Sequence, residues 1–142
     1  MNQGVTLPEM TSRSVTVGTR QIFVSEAGTG YPLLMLHGGG AGASGLSNYS
    51  RNIAALARHF RVLVADMPGY GQSTKGVDRS DTFGDLARSM LGLLDALQIK
   101  HEAPIAVATL GLCFGLFVVG QMQRSAIIDR RFVHIELFLA LE

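Results

Sequence analysis

The chain has 142 residues, about one domain's worth, and is 47% hydrophobic with 16% charged residues, which is too apolar for a disordered tail. Twelve Lys and Arg against eleven Asp and Glu leave a formal charge of +1, so no basic field exists to hold a nucleic-acid backbone or an anionic membrane. A single cysteine, Cys113, excludes an intramolecular disulfide framework, and four scattered histidines at no ligand spacing support no metal site.

Residues 1–13 are polar, lack the charged-then-apolar order of a secretory signal, and are expected to be disordered. The expected location is therefore the cytoplasm. From Ser14, SVTVGTRQIFVSEAG reads as two alternating strands around Val17-Gly18-Thr19, because glycine permits the positive φ of a tight hairpin turn. Tyr31 to Leu36 is a short apolar run stopped by His37-Gly38-Gly39-Gly40, the pattern of a strand buried on both faces. Tyr49, Ile53, Leu56 and Phe60 recur at spacings that place them on one helical face. Arg61 to Asp66 reads as a second buried strand.

The loop from Met67 to Arg79 is rich in Gly, Ser and Pro and ends at Ser80-Asp81-Thr82, any of which can cap a helix. Thr82 with Asp85 three residues on makes a capping-box pattern, and Phe83, Leu86, Met90, Leu93, Leu94 and Leu97 form the apolar stripe behind it. Ile105 to Ala108 is the next expected strand, Phe114 to Met122 a helix, and Phe132 to Leu141 a further strand. Strands alternating with helices predict an α/β fold, a mostly parallel sheet with flanking helices, in a single domain over 1–142. The uncharged stretch from Ala103 to Gln123 is long enough to cross a bilayer. Pro104, its internal glycines and its fit to a buried strand plus helix instead favour a non-membrane reading.

Two constellations carry the chemistry. His37-Gly38-Gly39-Gly40 follows a buried strand, where glycines let backbone N–H groups approach a bound carbonyl with no Cβ in the way. Such donors stabilise an oxyanion by roughly 3 kcal/mol each. Asp66-Met67-Pro68-Gly69-Tyr70-Gly71-Gln72-Ser73 follows the next strand and reads physically as a structural turn, with Pro and Gly setting the dihedrals. Gly38 to Gly45 lacks the lysine and spacing of a nucleotide-binding loop, and no cofactor is expected.

Together with Ser47-Asn48-Tyr49-Ser50-Arg51-Asn52-Ile53 and Leu56 to Val62, these motifs resemble the α/β-hydrolase fold over roughly residues 14–99. More narrowly, they resemble the meta-cleavage product hydrolases, which cleave carbon–carbon bonds in vinylogous diketones from aromatic degradation. The resemblance implies a small-molecule carbonyl substrate, Gly39 and Gly40 in an oxyanion pocket, and Gly38 and Asn48 at the substrate. An asparagine at position 48 equally suits a surface hydrogen bond. Esterases and epoxide hydrolases share the second motif, so an ester or epoxide substrate is the alternative. In the same resemblance His37 shapes the glycine turn, while Ser73 belongs to a turn with no elbow context.

That family's next element is Gly-x-Ser-x-Gly on a sharp strand-to-helix turn, and the sequence contains none. Val107-Ala108-Thr109-Leu110-Gly111 occupies the expected place, with Thr109 where the serine belongs and a β-branched valine in place of the first glycine. Gly111-Leu112-Cys113-Phe114-Gly115 resembles instead the cysteine elbow of dienelactone hydrolases. A thiol there is a nucleophile if a helix N-terminus depresses its pKa and inert packing if it is simply buried. After Cys113 the acid and histidine candidates are Asp129, Glu136, Glu142 and His134, none in a matching motif. The expectation is an incomplete hydrolase core ending near the sixth strand, impaired by loss of the C-terminal Asp and His. An exposed sheet edge then favours a homo-oligomer. A non-catalytic fragment inserting 103–123 into a membrane is the competing reading.

Overall fold

A computed structural model describes residues 9–99 and the strands at 105–109 and 132–136. The chain runs β1 (Met10–Val17), β2 (Arg20–Ala27), β3 (Tyr31–Leu36), α1 (Gly45–Tyr49), α2 (Ile53–Leu56), β4 (Phe60–Ala65), α3 (Thr82–Ala96), β5 (Ile105–Thr109) and β6 (Phe132–Glu136). These strands form one sheet in the order β1-β2-β4-β3-β5-β6. The β1–β2 hairpin is antiparallel and β2 meets β4 antiparallel, whereas β4, β3, β5 and β6 are mutually parallel. Gly18, at φ +59°, makes the hairpin turn as the sequence predicts.

The central strands are continuously apolar because both sheet faces are covered. Leu34, Leu36, Leu63 and Ala65 point to the α3 side, where Leu86, Met90, Leu93 and Leu94 close the core. Leu33, Met35, Val62 and Val64 point to the opposite side, against Tyr49, Ile53 and Ala57. The period of two in each strand thus feeds two cores at once.

Several local expectations are corrected. Strand β1 begins at Met10, so residues 10–13, expected to be disordered, pair with Val24 to Ala27. Tyr49, Ile53, Leu56 and Phe60 do not share one helix: α1 and α2 are separate short helices, and Phe60 opens β4. The side chains still share one core because the chain turns at Ser50–Asn52 and packs both helices on the same sheet face. Asp81 caps α3 by accepting from the Gly84 N–H, which leaves Thr82 and Asp85 out of a capping box. Asp85 is drawn off instead by Arg20, whose two terminal nitrogens donate to its two carboxylate oxygens at 2.8 and 2.6 Å.

Among the described residues no helix is long and apolar enough to cross a membrane. Ile105–Thr109, inside the uncharged 103–123 stretch, is a strand between β3 and β6, so the stretch is not one continuous helix. Cys113, Asp129, Glu142 and the helix expected at 114–122 lie outside the described residues.

Candidate active site

The strand order directs attention to one place. From its carboxyl end β3 leads to β4 on one side, while its neighbour β5 leads to β6 on the other. Open α/β sheets bind ligands at such a divergence, outside the carboxyl ends of the strands. Gly38, Gly39 and Gly40 leave β3 at this point, and the parallel register sets Thr109 beside Leu36, at the same level of the sheet. Glu136 pairs with Thr109 across the β5–β6 ladder, and His134 lies two residues earlier beside Val107.

Gly40 is exposed and a Cβ added there would meet nothing within 4 Å. Among the described residues the N–H groups of Gly39 and Gly40 donate to no partner, whereas the Gly40 carbonyl accepts from the Ala43 N–H at 3.0 Å. Among the described residues these two adjacent amide donors, just past the carboxyl end of β3, therefore carry no partner. Asn48 is half-buried on α1, and among the described residues its Oδ1 accepts only a long 3.4 Å bond from the Ser47 hydroxyl.

The glycine loop, 38–44, is held at three points by the segment after β4. At its start, His37 is fully buried and its Nε2 accepts from the Met67 N–H at 2.9 Å. That bond leaves the ring proton on Nδ1, which donates to the Gly38 carbonyl at 2.7 Å. In the middle, the Tyr70 hydroxyl donates to the Gly39 carbonyl at 3.2 Å, and the Tyr70 ring meets His37 edge-on with centroids 4.9 Å apart. At its end, Asp66 Oδ1 accepts from the Gly45 N–H at 2.7 Å, while Oδ2 accepts from the Gln72 N–H at 2.9 Å. The Tyr49 hydroxyl adds a bond to the Leu36 carbonyl at 2.7 Å, and burial pushes its pKa up, so it stays a neutral donor.

Glycines make this packing fit. Gly71, at φ +47°, lies where any Cβ would overlap the Asp66 carboxylate, and a Cβ on Gly45 would come within 2.5 Å of Val64 Cγ1. Ser73 is committed to structure, since its hydroxyl donates to the Asp66 carbonyl at 2.6 Å and accepts from the Phe23 N–H at 2.8 Å. The Asp66 to Ser73 run is thus the turn that the sequence predicts. The sequence reading misses its partners: Asp66 and Met67 hold the glycine loop as well as their own turn. Asp66 at the end of an apolar run, with glycines at 69 and 71 after it, was the available signal.

A depression of about 370 Å³ lies between the hairpin turn and α3 and is lined in part by Arg20, Asp85, Arg88 and Ser89. Its cations are spent on protein partners, with Arg20 on Asp85, Ser89 and the Gly76 carbonyl, and Arg88 on Asp81. This cluster ties β2 to α3.

The parallel β4-β3-β5-β6 sheet with an antiparallel β1–β2 edge, and a glycine loop leaving β3 at its carboxyl end, are the features of a hydrolase core. In agreement, the family model of the alpha/beta hydrolase fold matches residues 31–106, and the chain belongs to that family. It is similar to 2-hydroxy-6-oxo-6-phenylhexa-2,4-dienoate hydrolase of Burkholderia cepacia, with 40% identity over 95 residues, 63% of this chain and 33% of that protein. It is also similar to the 2-hydroxy-6-oxononadienedioate/2-hydroxy-6-oxononatrienedioate hydrolase of Comamonas testosteroni, with 38% identity over 63% of this chain and 34% of the relative. Among solved structures, the 2-hydroxy-6-oxo-6-phenylhexa-2,4-dienoate hydrolase of Rhodococcus sp. strain RHA1 superposes with a TM-score of 0.70 at 27% identity, covering 88% of this chain and 44% of that one. The chain spans about a third of the length of the curated relatives it matches.

Proposed function

We propose that this chain supplies the oxyanion half of a hydrolase site that cleaves the carbon–carbon bond next to a ketone in 2-hydroxy-6-oxo-dienoates. The observation that carries this reading is the pair of Gly39 and Gly40 amides at the β3–β5 divergence, unpartnered among the described residues, together with the dienoates in the names of its relatives. The substrate ketone oxygen sits against those two N–H groups, with Gly38 and Asn48 lining the same mouth. Attack on the ketone carbon puts negative charge on that oxygen, and each donor lowers the barrier by roughly 3 kcal/mol. When water attacks, collapse of the tetrahedral carbon breaks the carbon–carbon bond, the leaving carbon takes the proton that the water gives up, and a carboxylic acid remains. When a side chain attacks, its proton goes to the leaving carbon and the collapse leaves an acyl-enzyme, which a water then hydrolyses to the acid and the free side chain.

The attacking group is water or a side chain after β5. Thr109 stands at the strand end in register with Leu36, and Cys113 is the competing nucleophile four residues on. Neither lies in a Gly-x-Ser-x-Gly elbow, and Val107 resists the close packing that such an elbow imposes. Slow turnover is the consequence. We further propose a cytoplasmic location and self-association through the exposed outer edge of the sheet.

The test uses purified chain with 2-hydroxy-6-oxo-6-phenylhexa-2,4-dienoate, following dienolate absorbance and benzoate release. Saturable binding with slow benzoate formation is expected. Absence of both overturns the proposal, and hydrolysis of a phenyl ester with the dienoate untouched transfers the chain to the ester-cleaving reading.

A further inference from the structure

His37 is fully buried, and it opens a loop that badly needs restraint. Four of the seven residues in 38–44 are glycine, so the segment has much conformational freedom to lose. Two free amides are useful to an oxyanion only if they are aimed before it forms. What aims them is the segment after β4, through the bonds to His37, Tyr70 and Asp66.

Of those three ties, the one at His37 depends on a proton in a distinctive way. The Met67 N–H needs a bare Nε2, and the Gly38 carbonyl needs a protonated Nδ1, so only one neutral tautomer serves both. Adding a proton at Nε2 sets N–H against N–H at 2.9 Å. We propose that His37 is the positioning residue of the oxyanion loop: as the Nδ1–H tautomer it ties Gly38 to the β4 exit, and protonation at Nε2 releases the loop. This rests on the oxyanion reading for its purpose, though the tie itself can be measured without turnover.

The titratable groups facing the ring among the described residues are Asp66 and Tyr70. Burial pulls the imidazole below its ordinary value, while the Gly38 carbonyl and the Asp66 charge oppose that shift with smaller effect. The neutral form is therefore favoured in the fold. The sign follows: the tie is complete above about pH 6.5, the ordinary imidazole value, and is lost as pH falls through the lower folded value.

Two substitutions separate the two bonds. In His37→Gln the side-chain oxygen reaches the Nε2 position and can accept from Met67. In His37→Asn the amide reaches only the Nδ1 position and can serve Gly38. The experiment is nitrogen-15 NMR of the full chain and both variants across pH 4–8. Expected are a His37 proton on Nδ1 at neutral pH, and Gly39 and Gly40 amide signals that move with the His37 titration while the Leu93 amide in α3 stays still. His37→Gln abolishes that titration and keeps the Met67 amide protected. His37→Asn lets the Met67 amide exchange about tenfold faster, the worth of one hydrogen bond.

A ring proton on Nε2, a glycine loop indifferent to the His37 titration, or equal Met67 exchange in the two variants overturns the proposal. Should neither variant fold, the wild-type titration alone decides it. Failure of dienoate turnover with an intact titration removes the proposed reaction and leaves the tie standing; a turnover-competent chain whose loop ignores His37 does the reverse.

Discussion

Replacing Asp66 by asparagine changes a single heavy atom and removes one of the two bonds by which Asp66 joins the glycine loop to its own turn. The carboxylate is 4% exposed and accepts from Gly45 at 2.7 Å and Gln72 at 2.9 Å. An amide can accept from one of those N–H groups only, and it turns its own NH2 toward the other. The lost bond was made to a charge, worth about 1.5–3 kcal/mol, and the surviving one weakens to a neutral bond of about 1 kcal/mol. The expected destabilisation is about 2–4 kcal/mol, or a fall in Tm of roughly 5–12 °C for a chain of this size. Thermal melts by circular dichroism, with tyrosine fluorescence in denaturant because the chain has no tryptophan, measure it. Amide exchange at Gly45 and Gln72 should speed up together with the loss. A variant within about 0.5 kcal/mol of the parent, the range of an ordinary surface change, would refute the reasoning that Asp66 closes the loop.

Gly71→Ala attacks the same junction from the other side: its Cβ overlaps the Asp66 carboxylate at a φ of +47°, so a loss of about 2 kcal/mol or more is expected in the same melts. The hydrogen bonds from Arg20 hold the Asp85 carboxyl below the usual carboxylate range. The stability this gives is present above about pH 4 and lost as pH falls through the lower folded value, so Asp85→Asn should flatten the acid limb of a stability–pH curve. Gly40→Pro deletes one of the two free N–H groups, and benzoate release should drop about 100-fold or more. Unchanged release would remove Gly40 from the site.

The physical reason that so much of the fold was legible is that its strong signals are local. Leu33 to Leu36 and Val62 to Ala65 are unbroken apolar runs, and only a strand covered on both faces has a use for that pattern. The α3 stripe read correctly for the same reason, since Leu86, Met90, Leu93 and Leu94 repeat with the helical period. The helix break at Ser50–Asn52 was hidden because two short helices packed on one face repeat their apolar residues much as one long helix does. The Asp85 error came from a partner distant in the chain: Arg20 is sixty-five residues away and outcompetes a cap three residues away.

The glycine loop at 38–40 was readable as a turn that follows a buried strand. The ties from Met67, Tyr70 and Asp66 were not, since each bridges segments about twenty to thirty residues apart through a backbone group, and backbone groups leave no mark on a sequence. Thr109 could be aligned with the strand end by spacing, and its register with Leu36 required the sheet.

The most direct measurement of the oxyanion assignment is the amide spectrum of the nitrogen-15-labelled chain during titration with 2-hydroxy-6-oxo-6-phenylhexa-2,4-dienoate. The Gly39 and Gly40 signals should move earliest and furthest, with Asn48 following and Arg20 and Ser89 unmoved. Saturation that leaves both glycine amides in place, or shifts confined to the depression beside α3, would contradict it.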